Sequence, residues 1–134
     1  MTEIIDLTYS INENMITYPT PWHPKVVIEK LGKIEEVGRN TRKIIIGTHT
    51  GTHIDAPLHF IKNGNSIEKI PLTKLVGEVS IVDFSSMECN HSISIKDLSQ
   101  VIFSKKIIFK FGWEERWNKM EFYENYPYFS EEAA

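Results

Sequence analysis

The chain reads Thr48-His-Thr-Gly-Thr-His-Ile-Asp-Ala-Pro-Leu-His-Phe60, and this stretch is the most informative part of the sequence. It holds three of the five histidines in the chain together with one aspartate: His49, His53, Asp55 and His59. All four positions have odd numbers, so in a locally extended chain their side chains would share one face. Imidazole and carboxylate groups are ligands of first-row divalent metals, and the stretch therefore predicts a metal site.

The spacing of His49 and His53 favours a turn over a regular strand. Four residues of strand span ~13 Å, whereas zinc holds nitrogen ligands at only ~2.0–2.1 Å. A turn near Gly51, where a positive φ has no steric cost, would bring the two imidazoles together. A helix would also align them, but the threonines on either side of Gly51 are poor helix formers. We therefore predict a turn after a strand over residues 41–48, with hydroxyls or main-chain carbonyls bonding the far ring nitrogens.

His59 lies four residues beyond Asp55, after a proline that fixes the backbone. This spacing could leave its imidazole near the cation without binding it, where a histidine can act as a general acid and base. No serine or cysteine has a spacing that fits a nucleophilic triad, so a metal-free role for the cluster is less favoured. The remaining histidines, His23 and His91, have no ligand partners nearby in sequence and are predicted to be surface residues.

Composition limits the class of protein. With 134 residues, 41% of them hydrophobic and 25% charged, the chain matches one ordinary globular domain. The net charge of -3 and the lack of a basic stripe argue against a nucleic-acid partner. No signal peptide is evident, and no apolar run approaches the ~20 residues of a membrane span. The single cysteine, Cys89, cannot form an internal disulfide, so we expect a cytoplasmic protein.

Short β-branched and aromatic segments predict five strands. They lie at residues 4–7, 26–31, 41–48, 78–84 and 106–111. Apolar residues at successive positions in 43–46 and 106–109 suggest central strands that are covered on both faces. Helical signals are weaker: a serine cap at Ser94, a turn at 66–70 and a helix start at Ser130. Because that last helix has only five residues, the domain is expected to be cut short.

The run from His49 to Phe60 is similar to the signature of the cyclase family of metal-dependent hydrolases, which includes the bacterial arylformamidases (kynurenine formamidases). Supporting similarity extends to Ile5-Asp-Leu-Thr8, Tyr18-Pro19, Phe111-Gly-Trp113 and the last nine residues, 126–134. The resemblance covers essentially the whole chain and matches about the first two-thirds of a family domain. It implies that residues 1–134 form a single cyclase-family domain that lacks roughly its last third.

The resemblance also implies a fold and roles for particular residues. The fold is an α/β, swivelling β/β/α domain with a mixed β-sheet, usually assembled into homo-oligomers. The implied metal ligands are His49, His53 and Asp55, with Asp55 able to bridge two ions, and His59 is the implied proton donor and acceptor. Tyr18 stands where arylformamidases often place a tryptophan that contacts the aromatic substrate. Family members carry a further histidine and glutamate ligand downstream of the segment that matches here.

The residues and the resemblance together predict a metal-dependent hydrolase of amide bonds other than peptide bonds. Its small-molecule substrate would be N-formylkynurenine, cleaved to kynurenine and formate, or a cyclic amide. Zinc is the first choice for two histidines and an aspartate, with manganese as the alternative and one or two ions bound. The competing hypothesis is a truncated, catalytically inactive fragment or oligomerising module. Metal carriage without catalysis is a third and less favoured hypothesis.

Overall fold

The computed structural model of the chain describes residues 3–134, which divide into two compact units with the boundary between Asp55 and Ala56. The first unit contains β1 (Val27–Gly32), the single-turn helix α1 (Ile34–Val37) and β2 (Thr41–Ile45). β1 and β2 pair antiparallel, and Lys43 Nζ lies 3.2 Å from Glu29 Oε2 on the facing position. Gly38 ends α1 with a φ of 72°, the left-handed conformation that commonly closes a helix.

The buried side chains of the first unit include a polar pair. Met15 and Val26 are buried, and so are His23 and Thr50. A hydrogen bond of 3.0 Å joins His23 Nε2 to Thr50 Oγ1. The prediction that His23 is a surface residue is therefore wrong, because a hydroxyl partner from a distant part of the chain satisfies the imidazole inside the unit.

The second unit contains two parallel strand pairs. Its elements are β3 (Ser80–Asp83), β4 (Ser92–Ile93), the single-turn helix α2 (Ile95–Leu98), β5 (Ile107–Lys110) and β6 (Tyr128–Phe129). β3 pairs with β5 and β4 pairs with β6, both in parallel. Short 3-10 turns fill much of the remaining chain: Pro57–His59, Ile67–Lys69, Leu72–Lys74, Trp113–Arg116 and Met120–Tyr123. In the described residues, no helix is long and apolar enough to cross a membrane.

Aromatic rings join the two parallel pairs of the second unit. The ring centroids of Phe84 and Phe109 lie 5.7 Å apart, and the ring of Phe129 meets Phe109 edge-on at 5.0 Å. Both are favourable geometries for aromatic rings. Because Phe109 lies on β5 and Phe129 on β6, their contact connects one pair to the other. Ile93 on β4 is fully buried, with 0% of its surface exposed, and marks the best-packed point of this unit.

The α/β class is confirmed, since short helices and turns separate strands that pair both antiparallel and parallel. Four of the five predicted strand segments overlap β1, β2, β3 and β5. The predicted strand at residues 4–7 is wrong. There, the backbone N–H and the hydroxyl of Thr8 both donate to Asp6 Oδ1, at 2.9 and 2.7 Å. Local bonds of this kind compete with the hydrogen-bond ladder of a sheet, and they also lower the pKa of Asp6.

The prediction of central strands covered on both faces is wrong for the described residues. β2 and β5 each pair with a single neighbouring strand. Ile44 on β2 is 57% exposed and Ile108 on β5 is 40% exposed. An apolar run indicates strand structure, but it does not identify the elements that would cover its two faces.

The helix predicted to begin at Ser94 is confirmed, whereas the helix start predicted at Ser130 is a single turn. The backbone N–H and the hydroxyl of Ser94 both donate to Asp97 Oδ2, each at 2.7 Å, at the start of α2. These bonds stabilise the carboxylate and lower the pKa of Asp97 to about 2. The carbonyl of Ser130 accepts hydrogen bonds from the N–H groups of Ala133 and Ala134, which closes a turn.

Candidate metal centre

The turn predicted around Gly51 is present. β2 ends at Ile45, two residues without regular secondary structure follow, and a turn begins at Thr48. Gly51 has a φ of 63°, in the left-handed region that costs little only for glycine. The reversal of the chain at this point brings the side chains of His49 and His53 to the same side, with their ring centroids 5.2 Å apart.

Three donor atoms from the turn converge. His49 Nδ1 lies 3.3 Å from His53 Nε2, and Asp55 Oδ1 lies 2.8 Å from the first and 3.5 Å from the second. Ligands ~2.0–2.1 Å from a tetrahedral zinc ion stand about 3.3 Å apart. Two of the three separations match that spacing. The third is a hydrogen-bond distance that a bound cation would lengthen by about half an ångström.

The far nitrogen of His53 has a main-chain partner that orients the ring. His53 Nδ1 lies 2.8 Å from the carbonyl oxygen of Gly51. A carbonyl can only accept, so Nδ1 donates to it, and the lone pair that Nε2 has in a neutral ring would face His49 and Asp55. Metal-binding histidines generally use their second nitrogen in this way. The expectation of a main-chain partner for a far ring nitrogen therefore agrees with the geometry at His53.

The hydroxyl groups of Thr50 and Thr52 bond residues outside the turn, and not the site histidines as predicted. Thr50 Oγ1 bonds the buried His23 ring, and Thr52 Oγ1 accepts the backbone N–H of Tyr9 at 3.2 Å. Both bonds connect the turn to the N-terminal part of the first unit rather than to its own backbone. The sequence around His23 contains no recognisable signal for this support, because the partners lie 27 and 43 residues apart.

His59 follows Asp55 on the same eleven-residue segment, in the 3-10 turn Pro57–His59. The His59 ring lies against the ring of Phe60, with centroids 4.0 Å apart. His59 is thus the first predicted site residue of the second unit, and its place beside the three donors stays a prediction.

The donor group is open to solvent. The side chains of His49 and His53 are 30% and 31% exposed, and that of Asp55 is 47% exposed. A small molecule can therefore approach a cation held there without displacing protein. Tyr18, predicted to contact substrate, is 45% exposed. Two neutral imidazoles and one carboxylate carry a single negative charge, which suits a divalent cation and leaves a net positive charge to attract a carbonyl oxygen.

A family model described as "Putative cyclase" matches residues 5–134. A kynurenine formamidase from Bacillus cytotoxicus is 37% identical over 102 residues, which cover 74% of this chain and 46% of the relative. A kynurenine formamidase from Bacillus cereus is 38% identical over 100 residues, covering 72% of this chain and 44% of that protein. The chain thus spans about half the length of these curated relatives.

Solved structures share the fold. An isatin hydrolase bound to the product analogue thioisatinate superposes with a TM-score of 0.76 at 18% identity, covering 94% of this chain and 59% of that one. A potential metal-dependent hydrolase with cyclase activity gives a TM-score of 0.73 at 29% identity, covering 96% and 59%. The family match extends over nearly the whole sequence and includes the segment that carries the converging donors. The chain therefore belongs to the cyclase family.

Proposed function

We propose that this chain is a metal-dependent hydrolase of amide bonds other than peptide bonds, similar to the arylformamidases. The observation that carries the proposal is the approach of three donor atoms, from His49, His53 and Asp55, to within 3.5 Å of one another. The kynurenine formamidases that match it support N-formylkynurenine as the substrate, with kynurenine and formate as products. A cyclic amide is the second substrate to test.

His49, His53 and Asp55 would hold the cation. Zinc suits two nitrogens and one carboxylate oxygen at these spacings, and manganese would be favoured if more oxygen ligands joined them. When bound, the cation supplies Lewis-acid chemistry, polarising a carbonyl oxygen and making a nearby water more acidic. Asp55 has a second carboxylate oxygen that could serve a second ion, so the proposal allows one ion or two.

His59 is proposed as the general base and acid. It would take a proton from the attacking water and return it to the leaving nitrogen. The short segment between Asp55 and His59 would keep the His59 ring near the donors, and Phe60 packs against that ring. Tyr18 is proposed to contact the aromatic part of the substrate, which its exposed ring permits.

The proposal extends to the assembly and its location. Residues 1–134 are assigned to one cyclase-family domain, in a cytoplasmic protein whose partners are small molecules and copies of itself. Exposed isoleucines on and after β2 support self-association, since burying apolar surface favours it: Ile44, Ile45 and Ile46. Sedimentation of the purified chain tests this, and a monomer at all concentrations would contradict it.

The decisive experiment combines metal analysis with a hydrolysis assay on the purified 134-residue chain. We expect bound zinc or manganese, and release of formate from N-formylkynurenine or ring opening of a cyclic amide. His53→Ala should lose the metal and the activity together, because one of three donors is removed. His91→Ala is the matched control, since that histidine pairs with Asp97 in the second unit.

The outcomes separate the hypotheses. A His53→Ala variant that retains full metal content would overturn the metal site. Metal binding by the wild-type chain without turnover of either substrate would overturn the hydrolase assignment and favour a catalytically inactive role. His59→Ala should retain the metal and lose hydrolysis, which distinguishes a proton-transfer role from a ligand role.

A further inference from the structure

We infer that His23 is a positioning residue for the ligand loop, defined as residues 47–53, and that it holds the turn presenting His49 and His53. The inference rests on the proposed metal site. It concerns a residue that offers no donor to that site in the described geometry. His23 lies 27 residues before Thr50 in sequence, yet its ring is buried against the loop.

The first contact is a directional bond. His23 is 9% exposed and Thr50 is 4% exposed, and 3.0 Å separates His23 Nε2 from Thr50 Oγ1. Thr50 is the residue between His49 and Gly51, so fixing its side chain restrains the backbone on both sides. A hydrogen bond depends on angle as well as distance, and it therefore restrains the loop more tightly than an apolar contact would.

The second contact is steric. A Cβ atom on Gly47 would lie 2.5 Å from His23 Cε1 and 2.7 Å from Nε2. Only glycine lets the imidazole lie this close to the backbone at the start of the loop. The His23 ring therefore contacts the ligand loop at residues 47 and 50. Two contacts three residues apart restrain the direction of the loop as well as its position.

Neighbouring contacts complete the support. The terminal methyl group of Met15 would lie 3.1 Å from a Cβ atom on Gly51, and the N–H of Tyr9 donates to Thr52. Segments near residues 9, 15 and 23 thus all bear on the ligand loop. Among these contacts, the His23–Thr50 pair joins two buried polar side chains, so it can be removed by substitutions that preserve volume.

The test is metal affinity measured on the full chain by competition with a chromogenic chelator, using zinc and then cobalt as probes. His23→Leu and Thr50→Val remove the hydrogen bond and should each weaken zinc binding by about tenfold or more, as loss of supporting partners commonly does. His23→Gln, whose amide can replace imidazole Nε2 as a hydrogen-bonding group, should recover most of the loss. Thr20→Val is the matched control, because the buried hydroxyl of Thr20 has no protein partner within the described residues.

Cobalt absorption supplies a readout that general destabilisation would not change. Fully folded His23→Leu protein should show an altered cobalt spectrum, because the two imidazoles are no longer held at the same separation. Gly47→Ala should weaken binding in the wild-type background and have a smaller effect in a His23→Ala background, since the clash requires the ring.

Each result has a clear consequence. Failure of the wild-type chain to bind either ion would remove the proposed function itself. Wild-type affinity and an unchanged cobalt spectrum in folded His23→Leu would overturn the positioning role alone. If His23→Leu does not fold, folded Thr50→Val serves as the test. A zinc affinity of Thr50→Val within twofold of wild type would then overturn the inference.

Discussion

The conformation of Gly51 gives a sharp test of the ligand loop. Its φ of 63° places the residue in the left-handed region, where a residue with a Cβ atom pays about 1–2 kcal/mol. A Cβ atom there would also lie 3.1 Å from the terminal methyl group of Met15, which is flexible enough to shift. The expected cost of Gly51→Ala is therefore mainly backbone strain.

That strain should appear in metal affinity. The carbonyl of Gly51 accepts the bond from His53 Nδ1, so relaxation of the backbone at residue 51 carries the His53 ring away from its partners. To bind the ion, the variant must return residue 51 to the left-handed conformation at a cost of about 1–2 kcal/mol of binding free energy. This corresponds to about a 5–30-fold rise in the dissociation constant. Gly51→Asn should lose less, because asparagine enters the left-handed region more readily.

The measurement is zinc titration of each variant, with circular dichroism to establish that it is folded. Gly38→Ala is the matched control, since Gly38 has a φ of 72° in the same unit and a Cβ atom there meets nothing within 4 Å. It should lower stability without changing affinity. A folded Gly51→Ala protein with wild-type zinc affinity would refute the claim that this turn needs a positive φ to bring the histidines together.

Three further predictions concern stability. Ile93→Ala should lower the free energy of unfolding of the second unit by about 2–5 kcal/mol, measured by urea denaturation. Ile81→Ala, at a position that is 68% exposed, should change it by no more than about 0.5 kcal/mol. Asp97 ionises more easily when folded, so its stabilisation is present above pH 4 and is lost as the pH falls towards 2. Acid titration should therefore show a smaller loss of stability over that window in Asp97→Asn than in wild type, since the pKa of other carboxyl groups such as Asp83 is lowered too. Gly32→Ala would bring a Cβ atom within 2.8 Å of Thr41 Oγ1 and should lower the thermal midpoint, and an unchanged midpoint would show that the β1–β2 pairing adapts to it.

Local features of the chain were predictable from sequence. The turn at Gly51 follows from the need to bring residues four apart together, and Gly51 supplies the freedom to do so. The strands at β1, β2, β3 and β5 follow from β-branched runs, and the serine at Ser94 marks the start of α2. In each case the interacting residues lie within a few positions of one another, so a short stretch of sequence is enough to predict the local structure.

Features that depend on distant partners were not predictable. Nothing in the sequence near His23 indicates that Thr50, 27 residues later, provides a hydroxyl inside the unit. One local contact was missed as well: Thr8 donates to Asp6 where a strand was predicted at residues 4–7, a competition that strand propensity does not include. The isoleucines of β2 predicted a covered strand, but propensity describes the strand and not its surroundings.

The compactness of the donor segment bears on how the site assembles. His49, His53 and Asp55 lie on seven consecutive residues, so closing the chain around an ion costs little conformational entropy compared with joining ligands from distant strands. These donors leave the ribosome together, well before the aromatic residues of β5 and β6. The proposed metal site would thus be complete early in synthesis, before most of the second unit has been made.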